Sequence, residues 1–202
     1  MQYLTAYGAF IHQGHLAKGD FVLIMAASSS VGVAATEVAK AEGAISIATT
    51  RTSRKKAELL ALGADHVIVT EEEDLVARVN QITSGKGPRI VFDPIGGKGL
   101  EALAAAAGID GINFEYGALS TEATPLPLFP VLSKHLTIKG YVVFELFAKA
   151  AAFPKATQYV FDHLVSGAFK PHIDKTFPLA KIIDAHRYME SNTHIGKIVA
   201  TV

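Results

Sequence analysis

Short runs of apolar residues alternate along the chain with longer stretches in which apolar positions recur every three or four residues. This beat predicts strands alternating with helices, and hence a parallel sheet. The first strand is Phe21-Val22-Leu23-Ile24-Met25, entered through Lys18-Gly19-Asp20. The helix after it carries Val31, Ala34, Ala35, Val38 and Ala39 on one face and stops at Gly43. Ile45 to Thr49 is the second strand, followed by a helix with Ala57, Leu60, Ala61 and Ala64. His66 to Thr70 is the third.

Glu71-Glu72-Glu73-Asp74 opens the next helix, whose apolar side is Leu75, Val79 and Ile82. Acids at a helix start are favoured by its dipole, so this cluster reads as a solvated cap. The fourth strand is Ile90-Val91-Phe92, its helix carries Leu100, Leu103, Ala104 and Ala107, and the fifth strand is Ile112 to Tyr116. A connection containing Pro125, Pro127 and Pro130 leads to a long sixth strand, Leu136 to Phe144. The series is the one a dinucleotide fold requires. The tail exceeds that minimum: a helix around Ala156 to Val165, the segment Ile173 to Phe177, an amphipathic stretch from Leu179 to Met189, and a last strand, Ile198 to Val202.

Composition narrows the chemistry. The 202 residues are 50% hydrophobic and 19% charged, enough for one large domain with a real core, and the 19 basic and 19 acidic residues cancel. That balance leaves no electrostatic footprint for nucleic acid or an anionic membrane. There is no Cys, which removes disulfides and thiolate zinc sites, and the pair His12 and His15 has no third ligand nearby. No apolar run approaches the roughly 20 residues of a membrane span, and the first residues carry no signal-peptide pattern. A cytoplasmic location is the expectation.

The first strand runs through Ala26-Ala27-Ser28-Ser29-Ser30-Val31-Gly32 directly into a helix. In a dinucleotide fold this turn brings backbone N–H groups up to a pyrophosphate at the helix N-terminus. The usual G-x-G-x-x-G becomes Ala27-x-Ser29-x-x-Gly32. Small residues still permit close approach, Ser hydroxyls can cap the helix, and Gly32 keeps the position where helix and strand pack tightly. At the end of the second strand an NAD-selective site would place an acid. Here the segment is Thr49-Thr50-Arg51-Thr52-Ser53-Arg54-Lys55-Lys56, and Arg51, supported by Lys55, Thr50 and Ser53, suits a 2′-phosphate. A methyltransferase also uses a small-residue turn after its first strand, but it wants an acid at that same place.

Together these segments resemble the medium-chain dehydrogenase/reductase superfamily, and within it the zinc-independent quinone oxidoreductase branch related to ζ-crystallin. Thr5-Ala6-Tyr7-Gly8-Ala9 is similar to the family's T-A-Y helix, and Ala26 to Gly32 to its A-A-S-G-G-V-G turn, with Ser29 and Ser30 in place of two glycines. Leu62-Gly63-Ala64-Asp65-His66-Val67-Ile68, Phe92-Asp93-Pro94-Ile95-Gly96-Gly97 and Tyr116-Gly117 match further family segments, as do Ala185-His186, Met189-Glu190 and Gly196-Lys197-Ile198-Val199.

The resemblance implies an α/β, doubly wound, six-stranded Rossmann domain over 1–202 that binds NADP(H) and uses no zinc. Residues 18–150 would be its core, with 1–17 and 151–202 flanking elements facing an absent N-terminal GroES-like catalytic domain. On that reading Ile198 to Val202 lacks its native partner and is either disordered or in contact with another copy. The implied cofactor contacts are Thr5, Ser29, Ser30, Val31 and Gly32 on the nicotinamide side and pyrophosphate. Thr50, Arg51 and Lys55 would hold the 2′-phosphate, with Thr70 near the adenine. Pro94, Tyr116, Gly117 and Ala118 would line the nicotinamide ribose, and Phe144 would lie near the mouth. The implied reaction is hydride transfer from NADPH to a small-molecule substrate, a quinone or an activated alkene or carbonyl. The other reading is a nucleotide-binding module without turnover. Tyr116 and Asp93 have suitable chemistry for proton transfer, yet no residue is assigned as the donor. The apolar, Pro-free run 136–144 is what an edge strand should not be unless covered, and with the resemblance it predicts a homodimer through that edge.

Overall fold

The six apolar runs pair into one sheet because most carry apolar side chains on both faces, which only a sheet covered on both sides can bury. The computed structural model describes residues 1–202. Its strands are β1 (Phe21–Ile24), β2 (Ile45–Thr50), β3 (His66–Val69), β4 (Ile90–Asp93), β5 (Ile112–Glu115) and β6 (Thr137–Gly140), in the order β3-β2-β1-β4-β5-β6 and parallel throughout. This is the doubly wound arrangement, with its topological switch between β1 and β4.

Alternate residues of each strand serve opposite cores. Ile24, Ala48, Ile90, Phe92 and Phe114 pack with Tyr3, Ala6 and Phe10 and with Ala34, Ala35 and Val38. The latter groups lie on α1 (Gln2–Tyr7), which continues as a wider turn through Gln13, and on α2 (Ser30–Ala41). Leu59 of α3 (Lys56–Ala61) joins the same core. Leu23, Ile47, Ile68 and Val91 face Val79 of α4 (Leu75–Thr83) and Leu103 of α5 (Gly99–Ala106). A helix that the sequence reading left inside the Pro-rich connection, α6 (Leu128–Lys134), adds Val131 to this second core.

The expected acidic cap is one residue rather than a cluster. Asp74 is the N-cap of α4 and accepts from the Ala77 amide at 2.8 Å. Glu73 instead accepts from the Val69 amide at 2.9 Å and pairs with Arg78 at 2.8 Å and Lys56 at 3.6 Å, while Glu72 accepts from the Ser53 amide.

The sixth strand is shorter than its apolar run suggested. After Gly140 the Tyr141 amide still donates to the Glu115 carbonyl, but its ring turns inward against Phe114 and Gly8. A Cβ on Gly8 would lie 2.0 Å from the Tyr141 hydroxyl, so the close approach requires glycine there. Anchored in this way, the chain leaves the sheet and Phe144 falls in a short helix, α7 (Phe144–Phe147), that buries Leu146. Period-two alternation cannot anticipate such a departure, because Val142 and Val143 would suit a strand equally well.

The tail holds α8 (Phe153–Val165), β7 (Ile173–Pro178), α9 (Ile182–Glu190) and β8 (Lys197–Thr201). The last strand is ordered and finds a partner within the chain, pairing in parallel with β7 in a separate two-stranded sheet. The two strands satisfy each other's backbone groups, with α9 as the crossover between them. Gly196 adds a bridge to Ser29, its amide donating to the Ser28 carbonyl at 2.8 Å, which ties the tail to the main sheet.

Candidate functional site

The turn after β1 combines three local devices. Ala26 adopts a left-handed conformation, φ 48°, which turns the chain sharply at the strand end. Ser29 is the N-cap of α2, accepting from the Gly32 amide at 3.0 Å. Gly32 has no room for a side chain, since a Cβ there would meet the Ala27 Cα at 2.5 Å and its carbonyl oxygen at 2.6 Å. Ser29's amide and Gly32's amide are both engaged within the turn. The Val31 amide, in the first turn of this twelve-residue helix, has no acceptor in the chain, while the Ser30 amide lies on the side of the bridge to Gly196. A small-residue cradle that a Cβ would fill, with a free amide at the start of a helix, fits a diphosphate.

Beside this turn opens a cleft of about 790 Å³. Five of the sequence-predicted contacts line it: Ser29, Thr50, Arg51, Lys55 and Thr70. Ser30, Val31 and Gly32 form the adjoining helix start. Arg51 is exposed at the rim and forms no ion pair. Lys55 is committed: its ammonium donates to the His194 carbonyl at 2.6 Å and to the Ser28 hydroxyl at 3.2 Å. Burial, and then the neighbouring Arg51 charge, lower its pKa. Thr70 donates to the Thr50 carbonyl through both its amide, at 2.8 Å, and its hydroxyl, at 3.3 Å, fixing the two strand ends at the cleft floor.

The remaining predicted contacts lie elsewhere. Thr5 is buried in α1 with its hydroxyl on the Met1 carbonyl. Tyr116 stacks on Phe92, centroids 3.8 Å apart, and its buried hydroxyl has an acidic neighbour in Asp93; burial first, and that charge second, push its pKa well up. Gly117 and Ala118 are exposed on the following loop, where a Cβ on Gly117 would meet the Pro94 carbonyl at 2.7 Å. Phe144 is exposed and packs edge-on to Phe147. None of these, nor Pro94, lines the cleft, although Ile95 and Leu119 beside them do.

The sequence reading missed the opposite wall, formed by Met189, Glu190, Asn192 and His194. No local periodicity marks these residues, because they reach the site only through the β7–β8 pairing and the Gly196 bridge. Asn192 at φ 55° and Gly196 at φ 83° shape this wall, and a Cβ on Gly196 would meet the His172 carbonyl at 2.5 Å. No group of three or more His, Cys, Asp or Glu side chains gathers as a metal set, and no helix is long and apolar enough to cross a membrane.

A doubly wound sheet with a small-residue turn at the switch point and a basic rim at the end of β2 defines a dinucleotide-binding domain of Rossmann type. Comparison with known proteins makes this specific. Residues 30–162 match the zinc-binding dehydrogenase family, to which the chain belongs; it falls in the quinone oxidoreductase-like branch of the medium-chain dehydrogenase/reductase superfamily. It is 31% identical over 192 residues to a 2-haloacrylate reductase of a Burkholderia species, covering 94% of this chain and 58% of that protein. It is 29% identical to a quinone oxidoreductase of Pongo abelii, covering 91% and 55% respectively. A structure of Escherichia coli quinone oxidoreductase complexed with NADPH superposes with a TM-score of 0.88 at 28% identity, over 100% of this chain and 63% of that one. The chain thus spans a little over half the length of these curated relatives.

Proposed function

We propose that this chain binds NADP(H) as the nucleotide half of an oxidoreductase that delivers hydride, without zinc, to a quinone or an activated alkene or carbonyl. The observation that carries the reading is the meeting, in one cleft, of the Ser29–Gly32 helix start with Arg51 and Lys55. The first suits a diphosphate and the second an additional phosphoryl group. The E. coli relative's complex with NADPH supports it. Bound nicotinamide would supply the hydride. The chain's part is to hold the nucleotide: the helix start at Ser30 and Val31 toward the diphosphate, Arg51 and Lys55 toward the 2′-phosphate, Thr50 and Thr70 at the adenosine end. Thr5, Pro94, Tyr116, Gly117, Ala118 and Phe144 keep their assignment to the nicotinamide side as part of the proposal. The absence of Cys supports the zinc-free reading for this chain.

Fluorescence titration with NADPH tests the binding, and quinone-dependent NADPH oxidation tests turnover. Binding with turnover supports the enzyme. Binding alone supports the second reading, a nucleotide module. No binding of either nicotinamide nucleotide overturns both. The same proposal includes a cytoplasmic homodimer through the β6 edge, which no other strand of the sheet pairs, with exposed Val142 just beyond the strand's end.

A further inference from the structure

Asp93 and Glu115 end adjacent strands as cross-strand partners in register. Their predecessors Phe92 and Phe114 both serve the core under α1 and α2, so the two carboxyls project together from the other face. Asp93 is 1% exposed, and both its oxygens accept backbone amides, Ile95 at 2.8 Å and Gly96 at 3.0 Å. The Glu115 carboxyl lies beside it across the strand pair, and its Oε1 is buried with no hydrogen-bond partner. Neither carboxyl has a cation. Gly140, the register partner of Glu115 on β6, has no side chain, and Lys139 before it is in register with Phe114. Lys98 pairs with Glu122, and Lys134 donates to the Ala105 and Ala107 carbonyls. The Tyr116 hydroxyl, on the Phe92 side, is the remaining titratable group close to Asp93.

What the pair holds is the rim of the cleft. Asp93 fixes the turn from Pro94 to Gly97. That turn accepts the Leu119 amide on the Pro94 carbonyl at 3.0 Å and the Ser120 amide on the Ile95 carbonyl at 2.9 Å. Ile95 and Leu119 line the cleft directly. Two carboxylates one strand spacing apart, one buried and the other half-buried, with no cation beside them, cannot both ionise at little cost. With both oxygens of Asp93 accepting amides, the proton belongs on Glu115.

We propose that Glu115 is a positioning residue that works as a neutral acid, its proton bridging to Asp93 and seating the 94–97 turn and the 119–120 segment at the cleft, so that nucleotide affinity depends on that proton. The proposal rests on the nucleotide reading above. Burial, then the charge of Asp93, push Glu115 up to about 8. The bridge is therefore intact at neutral pH and lost as pH rises past that value. Burial also raises Asp93, opposed by the Ile95 and Gly96 amides.

The test is NADPH titration of the chain between about pH 7 and 9.5 in wild type, Glu115→Gln and Glu115→Ala. Wild type is expected to lose about tenfold in affinity across that range. Glu115→Gln, whose amide donates to Asp93 without titrating, should change less than about twofold, and Glu115→Ala should bind weakly throughout. A Glu115→Gln profile that tracks wild type overturns the proposal, because Lys55 and Arg51 are intact in both. Should NADPH not bind at neutral pH, the nucleotide reading and the affinity claim fall together. The proton is then read separately from the ¹³C carboxyl shift of Glu115 in wild type: a midpoint near 8 upholds the shared proton, and one in the ordinary glutamate range overturns it as well.

Discussion

Lys55 and His194 stand 139 residues apart in sequence, yet the Lys55 ammonium donates to the His194 carbonyl at 2.6 Å. The same cation that suits a phosphoryl group thus holds the C-terminal wall against the turn at Ser28. On the proposed reading, nucleotide binding and wall closure share one side chain.

Lys55→Ala is therefore expected to do two things at once. It should weaken NADPH by about tenfold, as loss of one charge-assisted hydrogen bond requires, and it should speed amide hydrogen exchange at Ile195 and Gly196. Unchanged exchange at those two amides would show that the wall stands without the lysine.

Arg51→Glu separates the nucleotides. Arg51 is exposed and unpaired, so the fold should tolerate the change with well under about 1 kcal/mol lost. NADPH should weaken about tenfold or more while NADH changes little. Equal losses for the two nucleotides in calorimetry would remove the 2′-phosphate assignment.

Gly32→Ala tests the cradle. The added Cβ would sit 2.5 Å from the Ala27 Cα, a backbone atom that cannot swing aside, so α2 must lift from β1. The expected cost is about 1–3 kcal/mol in denaturant unfolding, together with weaker NADPH binding.

Acid should loosen the β3–α4 junction. The Val69 amide above all, with Lys56 and Arg78, holds the Glu73 carboxyl below its ordinary value. A group depressed in the folded state stabilises at pH above its unfolded value and loses that contribution as pH falls through the folded one. Thermal midpoints of wild type and Glu73→Gln should differ at pH 7 and converge toward pH 3, by no more than about 1 kcal/mol for so accessible a group.

Val142→Glu is expected to yield a monomer where wild type sediments as a dimer at micromolar concentration, without loss of fold, because Val142 is exposed in one copy. A wild type that sediments as one copy would discard the edge interface.

The alternation of apolar runs and helical faces determined the six-stranded order, the turn at Ala27 to Gly32 and the basic rim at Arg51. Each is local, carried by residues that are neighbours in sequence or on one helix face, and burial on both sides of a parallel sheet leaves an apolar run that can be read directly. Tertiary structure decided the rest. Tyr141 ends β6 by diving toward Gly8, β8 pairs with β7, and His194 reaches Lys55 through the Gly196 bridge. Likewise the Asp93–Glu115 contact exists only because two strands 22 residues apart fall into one register. Such contacts join positions with no common periodicity, and their free energy comes from desolvating and pairing groups that the unfolded chain keeps apart.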